Sequence, residues 1–318
     1  MKAENYHPSL RPVEEACRLA KSGWVYVPNP LIGWGREGQL IWKAGVLLRH
    51  LALVVHCWRA ARSPHILVRE FSTIPLLLVF PMLWPLRRKL LFFIHHNLQW
   101  AVRNSAERFA LRLLARLGTQ WAMYEVQPDR MEVDVTVLHP VPGRTAGEKS
   151  ASRPVIGVAG YYRPEKGMDT LLRRLTEYFP DCEIVAGVPN PDAVKIPGVR
   201  VVDTASPEDY RAMLSRCDVL VQNGEHDSYF YRASGPLADA AASGAAVVVP
   251  DFPLLRHQAL FPVPVGEVFG SPDGMPEAVK RAVAKALAGQ YDFQTYCEAR
   301  SAQAVADRLD EFSRKQHG

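Results

Sequence analysis

Cysteine is scarce in this 318-residue chain and poorly placed for chemistry. Cys17, Cys57, Cys182, Cys217 and Cys297 are odd in number and scattered, with no CxxC pair. That excludes a disulfide framework and a thiolate metal site, and predicts reduced, mostly buried thiols of a cytoplasmic protein. No DxD occurs, so metal-dependent chemistry on a diphosphate lacks its paired carboxylates. The apolar stretch Phe71 to Leu86 is interrupted by Pro75, Pro81 and Pro85 and falls short of the ~20 residues a bilayer core requires. It reads as a buried or interfacial helix. The opening MKAENYHPSL has no apolar h-region, so secretion is not expected. Neither a Walker A sequence nor GxGxxG is read in the chain, so standard P-loop and dinucleotide sites lose their main support.

What is present is a globular composition, 48% hydrophobic and 22% charged, with length enough for two domains. The net charge of +5 is unevenly spread. Residues 1–150 hold 20 Lys and Arg against 11 Asp and Glu, whereas residues 151–318 hold 18 against 22. The first half therefore expects an anionic surface or partner, with no sign of nucleic acid.

In that half Gly23 to Pro30, His65 to Glu70 and the run LLFFIHH read as strands, and Glu37 to Arg62 as a long helix. Asn104 to Leu117 is an amphipathic helix with Asn104 as cap and Glu107 at capping-box spacing. Its apolar face is Phe109, Leu113, Leu114 and Leu117. Arg108, Arg112 and Arg116 stand four apart, so like charges share one stripe. Such a stripe is either a solvated face or a seat for a phospholipid surface or lipid diphosphate. Val133 to Gly143 closes the half, and Arg144 to Pro154 is the best linker.

From Pro154 onward strands and helices alternate regularly. VIGVAGY, CEIVAGV, VRVVD, VLVQN, AAVVVP and PVGEVF are buried strands of parallel type. Helices are expected over Met168 to Phe179, Pro207 to Arg216, Pro236 to Ala242 and Pro276 to Ala288. This is a doubly wound α/β domain, whose ligands lie at the carboxyl ends of its strands. Tyr291 to Arg314 reads as one terminal helix docking on a neighbouring surface.

Two turns in this domain suit phosphate. Ser234-Gly235-Pro236 opens a helix whose first amides, around Ser234 to Ala238, form an anion site, with Asp239 one turn further on. Gly160 to Gly167 follows the first strand and carries Lys166, whose ammonium can meet phosphates near the strand ends. Elsewhere His95, His96 and His139 stand at strand ends, where a histidine is either functional or a satisfied structural residue. Glu225, His226 and Asp227 form a polar loop cluster read first as solvated.

Lys166 after the first strand, and SGPLADAAASGAAVVVPD about 70 residues later, resemble the C-terminal half of GT-B glycosyltransferases of the group 1 type, over Val155 to Leu287. The resemblance implies an α/β fold of two Rossmann-like domains facing across a cleft. Residues 1–147 would form the acceptor side, 148–290 the nucleotide-sugar side, and 291–318 a helix packing back toward the first domain. In that family a lysine grips the donor diphosphate and a Glu-x7-Glu motif opens the helix before AxxxGxPVV. Here AAASGAAVV matches, Asp239 takes the second Glu position and is expected on a ribose diol, and Tyr231 takes the first. Tyr161 replaces the usual arginine, so its charge is expected from Arg163, Arg232 or Arg153. Ser234, Gly235 and Leu237 are expected on the diphosphate, and His96 faces the donor sugar.

The implied activity is transfer of a sugar from a UDP- or GDP-type nucleoside diphosphate sugar, with retention and with neither metal nor other cofactor. The apolar and basic character of residues 71–116 favours a lipid-linked or polysaccharide acceptor, with the protein cytoplasmic or peripheral on the inner face of a membrane. A catalytically silent binding subunit and a sugar-nucleotide epimerase are the alternatives.

Overall fold

The computed structural model describes residues 10–28, 40–144, 153–162, 167–222 and 226–317. It divides into two compact units, one of Val13–Val137 with Ala302–Gly318 and the other built on Leu138–Ser301. The sequence expectation placed these limits at 147 and 290.

The N-terminal unit alternates helices α1 (Leu10–Leu19), α2 (Leu40–Arg59), α3 (Thr73–Leu83), α4 (Asn97–Arg103) and α5 (Ser105–Arg116) with five strands. These are β1 (Trp24–Val27), β2 (His65–Val68), β3 (Leu90–Ile94), β4 (Gln120–Tyr124) and β5 (Val135–Val137), all parallel and in chain order across the sheet. Parallel strands are covered on both faces, and β2 and β3 are buried at every position. β4 was not expected from sequence, because its apolar run, Trp121 to Tyr124, is too short to show a period. The stretch Phe71 to Leu86 supplies α3, which continues through Pro81, and then a 3-10 turn over Trp84–Lys89.

α5 begins as expected, with the Asn104 side chain accepting from the amides of Ala106 (2.9 Å) and Glu107 (3.4 Å). The reciprocal half of the capping box is not made, because the Asn104 amide already donates to the Trp100 carbonyl of α4. The buried face is Ala110, Leu111 and Leu114, while Phe109 stands 64% exposed. The expected apolar face is thus rotated by roughly a quarter turn. Both α3 and α4 pack on this helix.

The C-terminal unit contains β6 (Val155–Ala159), β7 (Glu183–Val188), β8 (Val199–Asp203), β9 (Val219–Val221), β10 (Ala246–Pro250) and β11 (Gly266–Phe269). Its helices are α6 (Met168–Tyr178), α7 (Pro207–Arg216), the single turn α8 (His226–Tyr229), α9 (Gly235–Ala242), α10 (Pro253–Leu260), α11 (Met275–Leu287) and α12 (Phe293–Ala299). The parallel sheet runs β11-β10-β9-β6-β7-β8. From β6 the chain winds outward to β8, then returns to β9 and winds the other way. The order reverses between β6 and β9, and at such a switch point a doubly wound sheet opens a crevice beyond its carboxyl ends. Alternate strand residues feed two cores. Ile156, Val158, Val219 and Val248 pack with α6 and α11, and Val155, Leu220, Val247 and Val249 with α7 and α9.

The expected terminal helix is two helices. α12 belongs to the C-terminal unit and α13 (Ala302–His317) to the N-terminal one. The break falls at Arg300, fully buried, whose guanidinium donates to the carbonyls of His139 (3.3 Å) and Phe261 (2.8 Å). α13 then spans the first sheet. Trp24 Nε1 donates to Ser313 Oγ (3.1 Å), Arg308 Nε to the Thr136 carbonyl (3.2 Å), and Asp310 accepts from the amides of Lys21 and Ser22. Among the described residues no helix is long and apolar enough to cross a membrane.

Candidate functional site

The loops after β6 and β9 meet the switch point of the C-terminal sheet. Gly160 (φ 129°) leaves β6 and Gly167 (φ 71°) enters α6, both in backbone regions that a side chain resists. The Tyr162 hydroxyl donates to Asp169 in the first turn of α6. Arg163 and Lys166, expected on the diphosphate, lie outside the described residues, as does Glu225.

Beyond β9 the chain is held by a buried polar lock. Gln222 donates its amide to Val248 and accepts the Ser234 hydroxyl at 2.9 Å. Gln258 of α10, fully buried, accepts the Ser234 amide at 2.9 Å and donates to the Ser234 carbonyl at 2.7 Å. The Gln258 carbonyl in turn accepts the Tyr296 hydroxyl of α12 at 2.8 Å. Ser234 therefore has its amide committed and is not a diphosphate donor as expected. It fixes the direction of α9 instead. Ala238 donates weakly back to the Ser234 carbonyl at 3.4 Å, and Pro236 has no amide. Among the described residues Gly235 and Leu237 are left to offer amides at the positive end of the helix.

Asp239 departs from expectation. It is 4% exposed, and its Oδ2 accepts the Tyr210 hydroxyl of α7 at 3.1 Å. Burial pushes its carboxyl up to about 7, against the opposite pull of that hydrogen bond and of Arg211. It is buried in the α7–α9 packing, where the expectation set it on a ribose diol. Tyr231 is also buried and stands edge-on to Phe230 at 4.8 Å. Arg232 is half-buried, with its guanidinium 5.9 Å from the centre of the Tyr229 ring. Of the expected cations, it is the one described beside the start of α9.

In the N-terminal unit the carboxyl ends of β2, β3 and β4 gather a second polar cluster. Arg69, buried, places Nη2 3.5 Å from His95 Nε2. The His95 ring meets Tyr124 edge-on at 5.2 Å. Burial pushes the phenols of Tyr26 and Tyr124 up, the latter to about 12, against the pull of the Arg69 guanidinium. Glu125 follows with φ 70°, a strained backbone for a residue with a side chain, and is buried. His96, expected at the site, packs on Trp100 of α4 at 4.5 Å. Asn97 is structural: its side chain donates to the Phe71 carbonyl (3.0 Å) and Thr73 hydroxyl (3.3 Å) and accepts from the His95 amide. His139 is buried with Nδ1 at the Pro140 carbonyl, 3.1 Å away.

Arg69, Tyr124 and Glu125 carry no local motif, and position at a strand's carboxyl end was the signal that could have found them. Contrary to the reading that the chain has no GxGxxG, residues Gly33 to Gly38 spell it between β1 and α2, a spacing suited to phosphate. They lie outside the described residues.

No family model matches the chain, and no curated protein does. Solved structures do. AviGT4, a glycosyltransferase involved in avilamycin A biosynthesis, is 14% identical at a TM-score of 0.59, over 96% of this chain and 88% of its own. A UDP-forming α,α-trehalose-phosphate synthase from Burkholderia xenovorans, solved with glucose-6-phosphate, is 13% identical at 0.57, over 87% and 79%. The glycotransferase of kitacinnamycin is 15% identical at 0.51, over 96% and 95%. With two parallel sheets and these neighbours, the chain has the GT-B fold.

Proposed function

We propose that this protein moves a sugar from a nucleoside diphosphate sugar, UDP- or GDP-type, to a lipid-linked or polysaccharide acceptor. The observation that carries the reading is the switch point of the C-terminal sheet. There the start of α9 and the chain from Gly160 to Gly167, which carries Lys166 in sequence, follow β9 and β6, the two strands between which the winding reverses. The anomeric C–O bond to the diphosphate breaks, a bond to the acceptor hydroxyl forms, and the acceptor proton is released. Charge building on the departing diphosphate falls to Lys166, Arg163 or Arg232 and the amides of Gly235 and Leu237. This is electrostatic stabilisation by preorganised donors and needs no metal.

On the N-terminal unit the His95, Arg69 and Tyr124 cluster takes the role expected of His96. The excess of Lys and Arg in residues 1–150 supports an anionic acceptor and a peripheral position on a membrane face. Incubation with a panel of nucleotide sugars tests the whole. Nucleoside diphosphate released only with acceptor supports transfer, and the anomeric configuration of the product reads retention. Interconverted free sugar nucleotide would mean an epimerase, and binding without turnover a silent subunit.

A further inference from the structure

α4 and α5 enclose a groove of about 330 Å³ closed at one side by residues 130–132. Its floor is apolar, with Leu98 and Leu111. Its rim carries four arginines, Arg108, Arg112 and Arg116 from three successive turns of α5 and Arg130 opposite, against one acid, Glu132. Among the described residues Arg108, Arg112 and Arg116 have no carboxylate within 4.0 Å. Among the same residues Arg130 meets Asp129 alone, at 3.8 Å and largely in solvent. Stacked like charges repel, and a surface pair contributes little. The groove is therefore a net cationic seat with an apolar base.

A second observation lies on the flank of the same helix. At 100° per residue, Phe109 stands just past the arginine stripe, on the side away from the groove floor. It is exposed, as are Leu78 (66%) and Met82 of α3, which contacts α5, and Val55 and Trp58 of α2, which contacts α3. Large exposed apolar side chains thus stand on three helices packed in series, α2 on α3 and α3 on α5. Arg59, Arg87, Arg88 and Arg103 stand on or beside the same elements.

Apolar side chains bordered by cations match the interface of an acidic bilayer. Aliphatic and aromatic groups enter the acyl boundary, while arginines meet the phosphates. We propose that this face docks the N-terminal unit on an anionic phospholipid membrane, with a headgroup phosphate seated among Arg108, Arg112, Arg116 and Arg130. The proposal rests on the membrane-facing part of the function above and gives it a residue-level surface.

The test is sedimentation of the full chain with vesicles of phosphatidylcholine alone, or mixed with phosphatidylglycerol. Wild type should partition onto the mixed vesicles and not the neutral ones, less so as salt rises. Arg112→Gln with Arg116→Gln should lower that partition roughly thirtyfold, about fivefold for each arginine near an acidic surface. Leu78→Ser with Phe109→Ser should lower it while leaving its salt dependence in place. All these positions are exposed, so both doubles should keep the wild-type melting temperature. Equal partition onto neutral and acidic vesicles, or an unchanged partition in the arginine double, overturns the proposal. So does inorganic phosphate bound by the groove without any vesicle partition, which would make it a soluble-phosphate site. UDP and GDP affinity, by calorimetry, should be the same in all variants. Loss of nucleotide binding with vesicle binding intact would strike the transferase reading and not this one.

Discussion

Replacing Asp239 by Asn separates a ribose ligand from a packing residue. In the folded chain the carboxyl is buried against α7 and its affinity for protons is raised from 3.8 to about 7. Between those values the native state holds a proton that the unfolded state has released. Stability from this group is therefore fully present in acid and is lost as pH rises toward 7, the reverse of a salt-bridged carboxylate. About three pH units at ~1.4 kcal/mol each give a ceiling on the order of 4 kcal/mol. The Asn variant cannot titrate, so the difference in stability between it and wild type should swing toward the variant from pH 4 to 7, then level off. All seven tryptophans precede residue 138, so indole fluorescence does not report on this unit. Hydrogen exchange at the amides of α9 and β10 does. Nucleoside diphosphate affinity should change by less than about threefold, since no hydrogen bond to the ligand is removed. A pH-independent difference in exchange would refute the buried titration. A tenfold loss of nucleotide affinity would return Asp239 to the ribose.

Three further outcomes follow from the same geometry. Lys166→Ala should weaken UDP or GDP binding by tenfold or more, as one charge-assisted contact contributes ~1.5–3 kcal/mol, and unchanged calorimetry would remove it from the site. Gln258→Ala takes both partners from the Ser234 backbone and should cost about 1–3 kcal/mol of protection at the start of α9, while wild-type exchange there would show that the lock is redundant. His95→Ala should lower kcat with little change in donor KM, whereas His96→Ala, whose ring packs on Trp100, should keep most activity; the opposite ranking in steady-state assays would restore His96.

The elements of the second half were legible because each is announced locally. Strands such as Ala246–Pro250 are continuous apolar runs, α7 spans its expected residues Pro207–Arg216, and Ser-Gly-Pro opens α9 within one residue of its expected start. The Asn104 cap was equally local. What failed were statements about neighbours. The buried face of α5 depends on α3 and α4, which pack on it. The terminal helix split because Arg300 reaches two distant carbonyls.

The amino-acid sequence by itself determined the strand–helix alternation, the two phosphate-suited turns and the concentration of positive charge in the first half. These depend on a residue's own chemistry and on partners within a turn of it. Tertiary structure alone decided that Tyr210 meets Asp239, that Gln258 occupies the Ser234 amide, and that His95 rather than His96 joins Arg69. Each of those pairs spans more than twenty residues, and only the winding of the parallel sheets brings their ends together. Which side of a carboxylate, an amide or an imidazole is left for a ligand depends on those long-range partners.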